Sequence, residues 1–153
     1  MVGAEGFDGA AVVLAGCARR SRGDRGSASD RFLLDTMGEL RAAYALADVV
    51  VVGRSFGSLH GSDMMEPAAL GKPVIVGPAT SDFEQTVDAL RTGGGLLVSS
   101  RESLAGDLAS LLSDPARRAT LSERALAVVD QQQGATRRTL DLLVERLAIG
   151  EGS

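Results

Sequence analysis

An apolar strand, Val49 to Val52, runs directly into the polar loop Gly53 to Asp63 and then into a helix start that carries Glu66. Where a strand's C-terminal end feeds a helix, free backbone N–H groups collect, so this order of residues suits the holding of an anionic ligand. The loop presents Gly53, Arg54 and Ser55 at its start and Gly61, Ser62 and Asp63 at its end. A second stretch of the same kind is Thr36-Met37-Gly38-Glu39, which opens a helix straight after a strand. Glycine at position 38 lets backbone N–H groups approach a phosphate with no Cβ in the way. The competing role for Thr36 and Glu39 is to cap their own helix as a capping box.

Other chemistries find little support. His60 is the only histidine and sits in a flexible loop, where polar surface is its ordinary role. Ser55 and Ser62 have no adjacent base and no nucleophile elbow, so acyl transfer is unsupported. Gly53-x-x-x-Gly57 is not a phosphate-binding P-loop, because Lys72-Pro73 follows a helix instead of preceding one. Cys17 is the only cysteine, which leaves no disulfide framework and no Cys/His metal spacing, and makes a reducing compartment the default. A formal charge of −4 argues against a nucleic-acid partner. The basic cluster Arg19, Arg20, Arg22 and Arg25 lies in a Gly/Ser-rich stretch and reads as a solvated loop. Met1 is followed by a glycine-rich, acidic opening, and the longest apolar run is far too short for a bilayer, so neither a signal peptide nor a membrane span is expected and the chain reads as soluble.

The elements that must position these residues alternate between strand and helix. With 153 residues, 44% of them hydrophobic, the chain suits a single domain or lobe, residues 1–153. At 3% aromatic and no Trp, its core is built from Leu, Val and Ala, as in helices packed on parallel strands. Helical spacing over Phe7 to Cys17 is followed by a loop at 21–30 and a strand at Arg31 to Leu34. Asp35 and Thr36 then cap a helix that runs to about Ala47. Val49 to Val52, four consecutive valines, predict a strand buried on both faces. Asp63 caps a helix that stops at Gly71, and Val74 to Val76 is the next strand. Ser81 or Asp82 caps a helix to about Arg91, Gly93-Gly94-Gly95 turns the chain, and Leu96 to Val98 is a strand. The βα core thus covers 7–99. Helices fill 100–148: Glu102 to Leu112, Pro115 (behind Asp114) to about Gln132, and Ala135 to Ala148. The whole predicts an α/β fold, a Rossmann-like parallel sheet flanked by helices.

Six stretches, in order, carry a family resemblance. Asp35 to Leu40 (DTMGEL), Ala47 to Gly53 (ADVVVVG), Glu66 to Pro78 (EPAALGKPVIVGP), Asp82-Phe83, Gly93-Gly94-Gly95 and Gln133-Gly134-Ala135 resemble the C-terminal domain of 3-deoxy-D-manno-octulosonic acid (Kdo) transferases. The match covers roughly Phe7 to Leu143.

The resemblance implies the C-terminal, donor-binding lobe of a GT-B glycosyltransferase, truncated at its N-terminal side. Such a lobe binds CMP-Kdo for transfer of Kdo to lipid A precursor in lipopolysaccharide synthesis, with no metal and no cofactor. The family's N-terminal domain supplies the acceptor site, the membrane-proximal surface at the cytoplasmic face of the inner membrane, and the catalytic base. This chain is therefore expected to be inactive without that partner lobe, to carry no catalytic residue of its own, and to self-associate through its exposed sheet edge. The donor-binding residues implied are Thr36, Met37, Gly38, Glu39, Gly53, Arg54, Ser55, Gly61, Ser62, Asp63 and Glu66. Glu66 can accept hydrogen bonds from the vicinal hydroxyls of a ribose, or be merely an acid favoured by the helix dipole.

The glycine loop departs from the family. Many members have a second glycine where Arg54 stands, a His-Asn pair where Ser62-Asp63 stands, and proline where Met64 stands. Asp63 places an anion beside an anionic donor. Arg54 either compensates by pairing with the donor's phosphate or carboxylate, or pairs with Asp63 and closes the site. The alternatives for the whole chain are a catalytically silent nucleotide-binding or protein-interaction remnant, and a lobe for another sugar nucleotide.

Overall fold

In a computed structural model of the chain, the described residues are 16–25 and 29–150. The helix expected over Phe7 to Cys17 lies outside them up to residue 15. The chain divides into two compact units, Met1–Ala43 and Tyr44–Ser153.

In the first unit, β1 (Ala18–Arg19) pairs in parallel with β2 (Phe32–Leu33), Ala18 opposite Phe32 and Arg19 opposite Leu33. A 3-10 turn, Arg20–Arg22, follows β1 and ends on Gly23 at φ 73°, the left-handed conformation that glycine adopts without a Cβ penalty. The helix expected from Met37 starts later: α1 spans Leu40–Leu46. Gly38 has φ 83°, which a right-handed helix cannot contain, so the first turn forms only beyond it.

In the second unit, β3 (Val50–Val52), β4 (Val74–Val76) and β5 (Leu96–Val98) form a parallel sheet in that order. Val50, Val74 and Leu96 lie in register. Central β4 is fully buried, as an all-apolar strand with neighbours on both sides should be. Among the described strands, β3 lies at an edge of this sheet; it buries Val50 and Val52 and leaves Val51 half-exposed, so the burial on both faces expected for it is incomplete.

Helix α2 (Met65–Ala69) connects β3 to β4, and α3 (Glu84–Thr92), entered through a 3-10 turn at Ser81–Phe83, connects β4 to β5. Both end in the same way. Gly71 N–H donates to the Ala68 carbonyl at 2.9 Å and Lys72 N–H to Pro67 at 3.0 Å, with Gly71 at φ 65°. Gly94 N–H donates to Arg91 at 3.0 Å and Gly95 N–H to Leu90 at 2.8 Å, with Gly94 at φ 71°. These are two Schellman ends, each aiming the chain into the next strand.

Beyond β5, α4 spans Leu104–Ser113 and α5 spans Pro115–Gly150. The Asp114 carboxylate accepts the Arg117 N–H at 2.9 Å, the cap expected ahead of Pro115. The break expected between Gln132 and Ala135 is absent, since α5 runs through Gly134. A single glycine costs a helix about 1 kcal/mol, which lowers its stability without ending it.

Ala125, Val128 and Val129 of α5 close the core over Met64, Ala68, Val74, Val76, Val87, Leu90 and Leu96. Gly95 permits that approach: a Cβ there would stand 2.5 Å from the Ala125 backbone. Gly93-Gly94-Gly95 is thus a packing surface as well as the expected turn.

Candidate functional site

The C-terminal ends of β3, β4 and β5 carry three loops, and the glycine loop after β3 is built against the other two. It begins with a 3-10 turn, Gly53–Phe56. Ser55 is wholly buried there. Its hydroxyl donates to the Val52 carbonyl and accepts the Gly77 N–H at 2.7 Å, while its own carbonyl accepts the Ala79 N–H at 2.9 Å. A Cβ on Gly77 would lie 2.4 Å from that carbonyl oxygen. Ser55, expected among the ligand contacts, is instead a strut whose hydroxyl is spent inside the protein.

Further along, Arg101 from the loop after β5 donates through Nε to the Phe56 carbonyl at 2.7 Å. His60 takes φ 55°, a left-handed conformation uncommon outside glycine, and its Nδ1 lies 3.0 Å from the Ser81 hydroxyl. Gly61, at φ 96°, is buried, and a Cβ there would touch Phe83 at 3.5 Å.

The loop then delivers Ser62, half-buried, and Asp63, whose carboxylate accepts the Met65 N–H at 2.8 Å and so turns the chain into α2. Five residues make α2 little more than one turn, so its contribution to an anion site is weaker than the sequence pattern implies. The charge on Arg54 matters more as a result. Arg54 is exposed, and its one hydrogen bond among the described residues is a long 3.5 Å contact from Nη2 to the Leu59 carbonyl. Among the described ion pairs none joins Arg54 to Asp63, so the pairing that would close the site is not made.

Glu66 is half-buried in the first turn of α2, and none of the described hydrogen bonds or ion pairs uses its carboxylate. Tyr44, the chain's one tyrosine, senses it: burial raises the phenol's pKa first, and the charges of Glu66 and Asp63 raise it further. Sequence reasoning passed over Tyr44, because a helical aromatic ahead of a strand reads as core.

In the first unit, Thr36, Met37, Gly38 and Glu39 form the second candidate stretch. Arg20 forks onto the Glu39 carboxylate, Nε at 3.0 and 3.1 Å from its two oxygens and Nη2 at 2.8 Å from Oε1, and the Thr36 hydroxyl donates to Oε2. These contacts hold the Glu39 carboxyl below its usual pKa, Arg20 first and Thr36 second, and raise that of Arg20. The Thr36–Glu39 contact runs from side chain to side chain across a non-helical turn, in place of the expected capping box. Met37 is 77% exposed, and Gly38 has nothing within 4 Å of where a Cβ would stand.

Asp35 is more deeply engaged. Its carboxylate, 1% exposed, accepts the Ser21 hydroxyl at 2.7 Å, the Ser21 N–H at 2.8 Å and Arg19 Nε at 2.7 Å. The Ser21 hydroxyl, then its N–H, then Arg19, hold this carboxyl far below the ordinary carboxylate range. Arg19 and Arg20 are therefore ion-pair partners, contrary to the solvated loop expected for them; Arg22 and Arg25 are exposed.

Among the described residues no group of three or more His, Cys, Asp or Glu is placed to hold a metal ion, and no helix is long and apolar enough to cross a membrane.

No family model matches the chain. The 3-deoxy-D-manno-octulosonic acid transferase of Bordetella pertussis is 43% identical over 148 residues, 92% of this chain and 35% of that protein. The protein of the same name from Haemophilus influenzae is 32% identical over 128 residues, 82% of this chain and 30% of that one. The chain thus spans about a third of the length of these relatives. Among solved structures, it superposes with TM-score 0.75 and 29% identity on the C-terminal CMP-Kdo binding domain of WaaA from Acinetobacter baumannii, covering 82% of this chain and 69% of that one.

Proposed function

We propose that this chain, a relative of the Kdo transferases with the fold of their C-terminal donor domain, holds CMP-Kdo for the transfer of Kdo to a lipid A precursor. The observation that carries the proposal is the likeness to a domain known for binding CMP-Kdo, at 29% identity over most of the chain. Within the second unit, the free carboxylate of Glu66 is suited to accept the ribose hydroxyls. The guanidinium of Arg54, also without an ion-pair partner among those described, is suited to meet the donor's phosphate or carboxylate. The backbone N–H groups of Gly53, Gly61 and Ser62 complete that wall, and Asp63 shapes it by starting α2.

In the first unit, Thr36 to Glu39 present an open backbone at Gly38 suited to the phosphate or the base. There the Arg20 fork on Glu39 must loosen before its carboxylate takes a ligand.

No side chain of this lobe serves as the base. The base and the acceptor site belong to a second lobe or partner chain, which acts where the lipid acceptor lies, at the cytoplasmic face of the membrane. Titration calorimetry with CMP, CDP and UDP tests the proposal. Selective CMP binding is expected, and absence of binding to every nucleotide at millimolar concentration would sink it.

A further inference from the structure

Arg101 reaches from the loop after β5 to a carbonyl 45 residues earlier, in the middle of the glycine loop. The first part of that loop, Gly53 to Phe56, is held by buried contacts through Ser55. The last part is held by Gly61 packing on Phe83 and by Asp63 at the start of α2. Between them, residues 57–60 are all exposed, with Leu59 at 58%, and they lie in neither helix nor strand. Two side chains from outside the loop reach this span: Arg101 at its entry and Ser81, through His60, at its exit. A Cβ on Gly57 would lie 3.7 Å from Arg101 Nη2, so the guanidinium lies along the backbone just past Phe56.

We propose that Arg101 is a positioning residue for the donor: by holding the Phe56 carbonyl it fixes the path of Gly57 to His60, and with it the backbone that meets the ligand. This rests on the donor-lobe reading above. The contact is a single exposed hydrogen bond, so it adds little to the stability of a unit whose core lies between the sheet, α3 and α5. Its effect is local. A loop without this strut samples other paths, and a ligand then selects the competent one at the cost of apparent affinity. The residue type also fits, because Nε is the guanidinium atom nearest the stem and makes the contact with the Phe56 carbonyl, while Nη2 lies beside Gly57.

Two substitutions separate the strut from the charge. Arg101→Gln keeps an N–H donor at the position of Nε and removes the positive charge; Arg101→Met keeps the length and removes both. Calorimetric titration with CMP is expected to show about three- to tenfold weaker binding for Arg101→Met, and affinity within about twofold of the parent for Arg101→Gln. Both variants should melt within a few degrees of the parent, a result that a purely structural role would not give. Equal losses in Gln and Met would overturn the proposal in favour of a direct charge contact, and no loss in either would also overturn it.

Hydrogen–deuterium exchange of the segment 53–63 without nucleotide supplies a readout independent of CMP. Faster exchange is expected in Met and not in Gln, and unchanged exchange in Met would contradict the strut even if the parent bound no nucleotide. Failure of the parent to bind CMP, with exchange still faster in Met, would sink the donor-lobe reading and leave Arg101 as the strut of this loop.

Discussion

The two candidate stretches are opposites in how their charges are used. In the first unit, the carboxylates of Asp35 and Glu39 are both committed, to Arg19 and Ser21 in one case and to Arg20 and Thr36 in the other. In the glycine loop of the second unit, Glu66 has no described partner and Arg54 has only a 3.5 Å contact, while the loop's buried groups are fully engaged. Committed charges hold a fold together and must be released before they bind anything. Uncommitted charges on a rigid base are ready to bind at once. The glycine loop is therefore the stretch better prepared to meet an anionic ligand, and the Thr36–Glu39 stretch is organised first for its own structure.

The widest break in the comparison comes from the rigid base. Gly77→Ala should push the Gly53–Phe56 turn off the end of β4, because its Cβ would stand 2.4 Å from the Ser55 carbonyl oxygen. A loss of about 3 kcal/mol in a denaturant titration is expected, with CMP binding abolished. Next, Glu66→Ala should weaken CMP binding about 10- to 100-fold, the worth of hydrogen bonds to a charged group, with the melting temperature unchanged. An equal loss for Glu39→Ala would erase the distinction between the two stretches. Ser55→Ala should cost about 1–3 kcal/mol by leaving the Gly77 N–H buried without its partner, a change visible in denaturation.

The smallest effect lies in the first unit and depends on pH. The Asp35 carboxyl sits far below its usual pKa in the folded chain, so its contribution is fully present above about pH 4 and is lost as the pH falls from there towards its folded value. Amide protection in Ala18 to Asp35, relative to the intrinsic exchange rate at each pH, should fall on acidification below about pH 4, and Asp35→Asn should flatten that response. Identical acid profiles in parent and variant would show that Asp35 is not the anchor of this unit.

The local features were legible in the sequence. Gly71 ahead of Pro73, Asp114 ahead of Pro115, and the valine runs of β3 and β4 announce themselves through neighbours a few residues away. What was misread depends on partners far along the chain. Ser55 looked like a ligand contact because nothing near it shows that Gly77 will bury it. Arg19 and Arg20 looked solvated because Asp35 and Glu39 lie 16 and 19 residues further on. Gly38 was read as part of a helix, yet it takes the one conformation that excludes it. The donor proposed for this chain comes from the family resemblance alone; no composition or spacing in the sequence could have named it.

CMP is proposed to be met by the glycine loop and Glu66. Nitrogen-15 NMR of the labelled chain titrated with CMP reads this residue by residue. The largest amide shifts are expected between Gly53 and Glu66. Shifts confined to Gly16 to Ala43, or none at millimolar CMP, would contradict it.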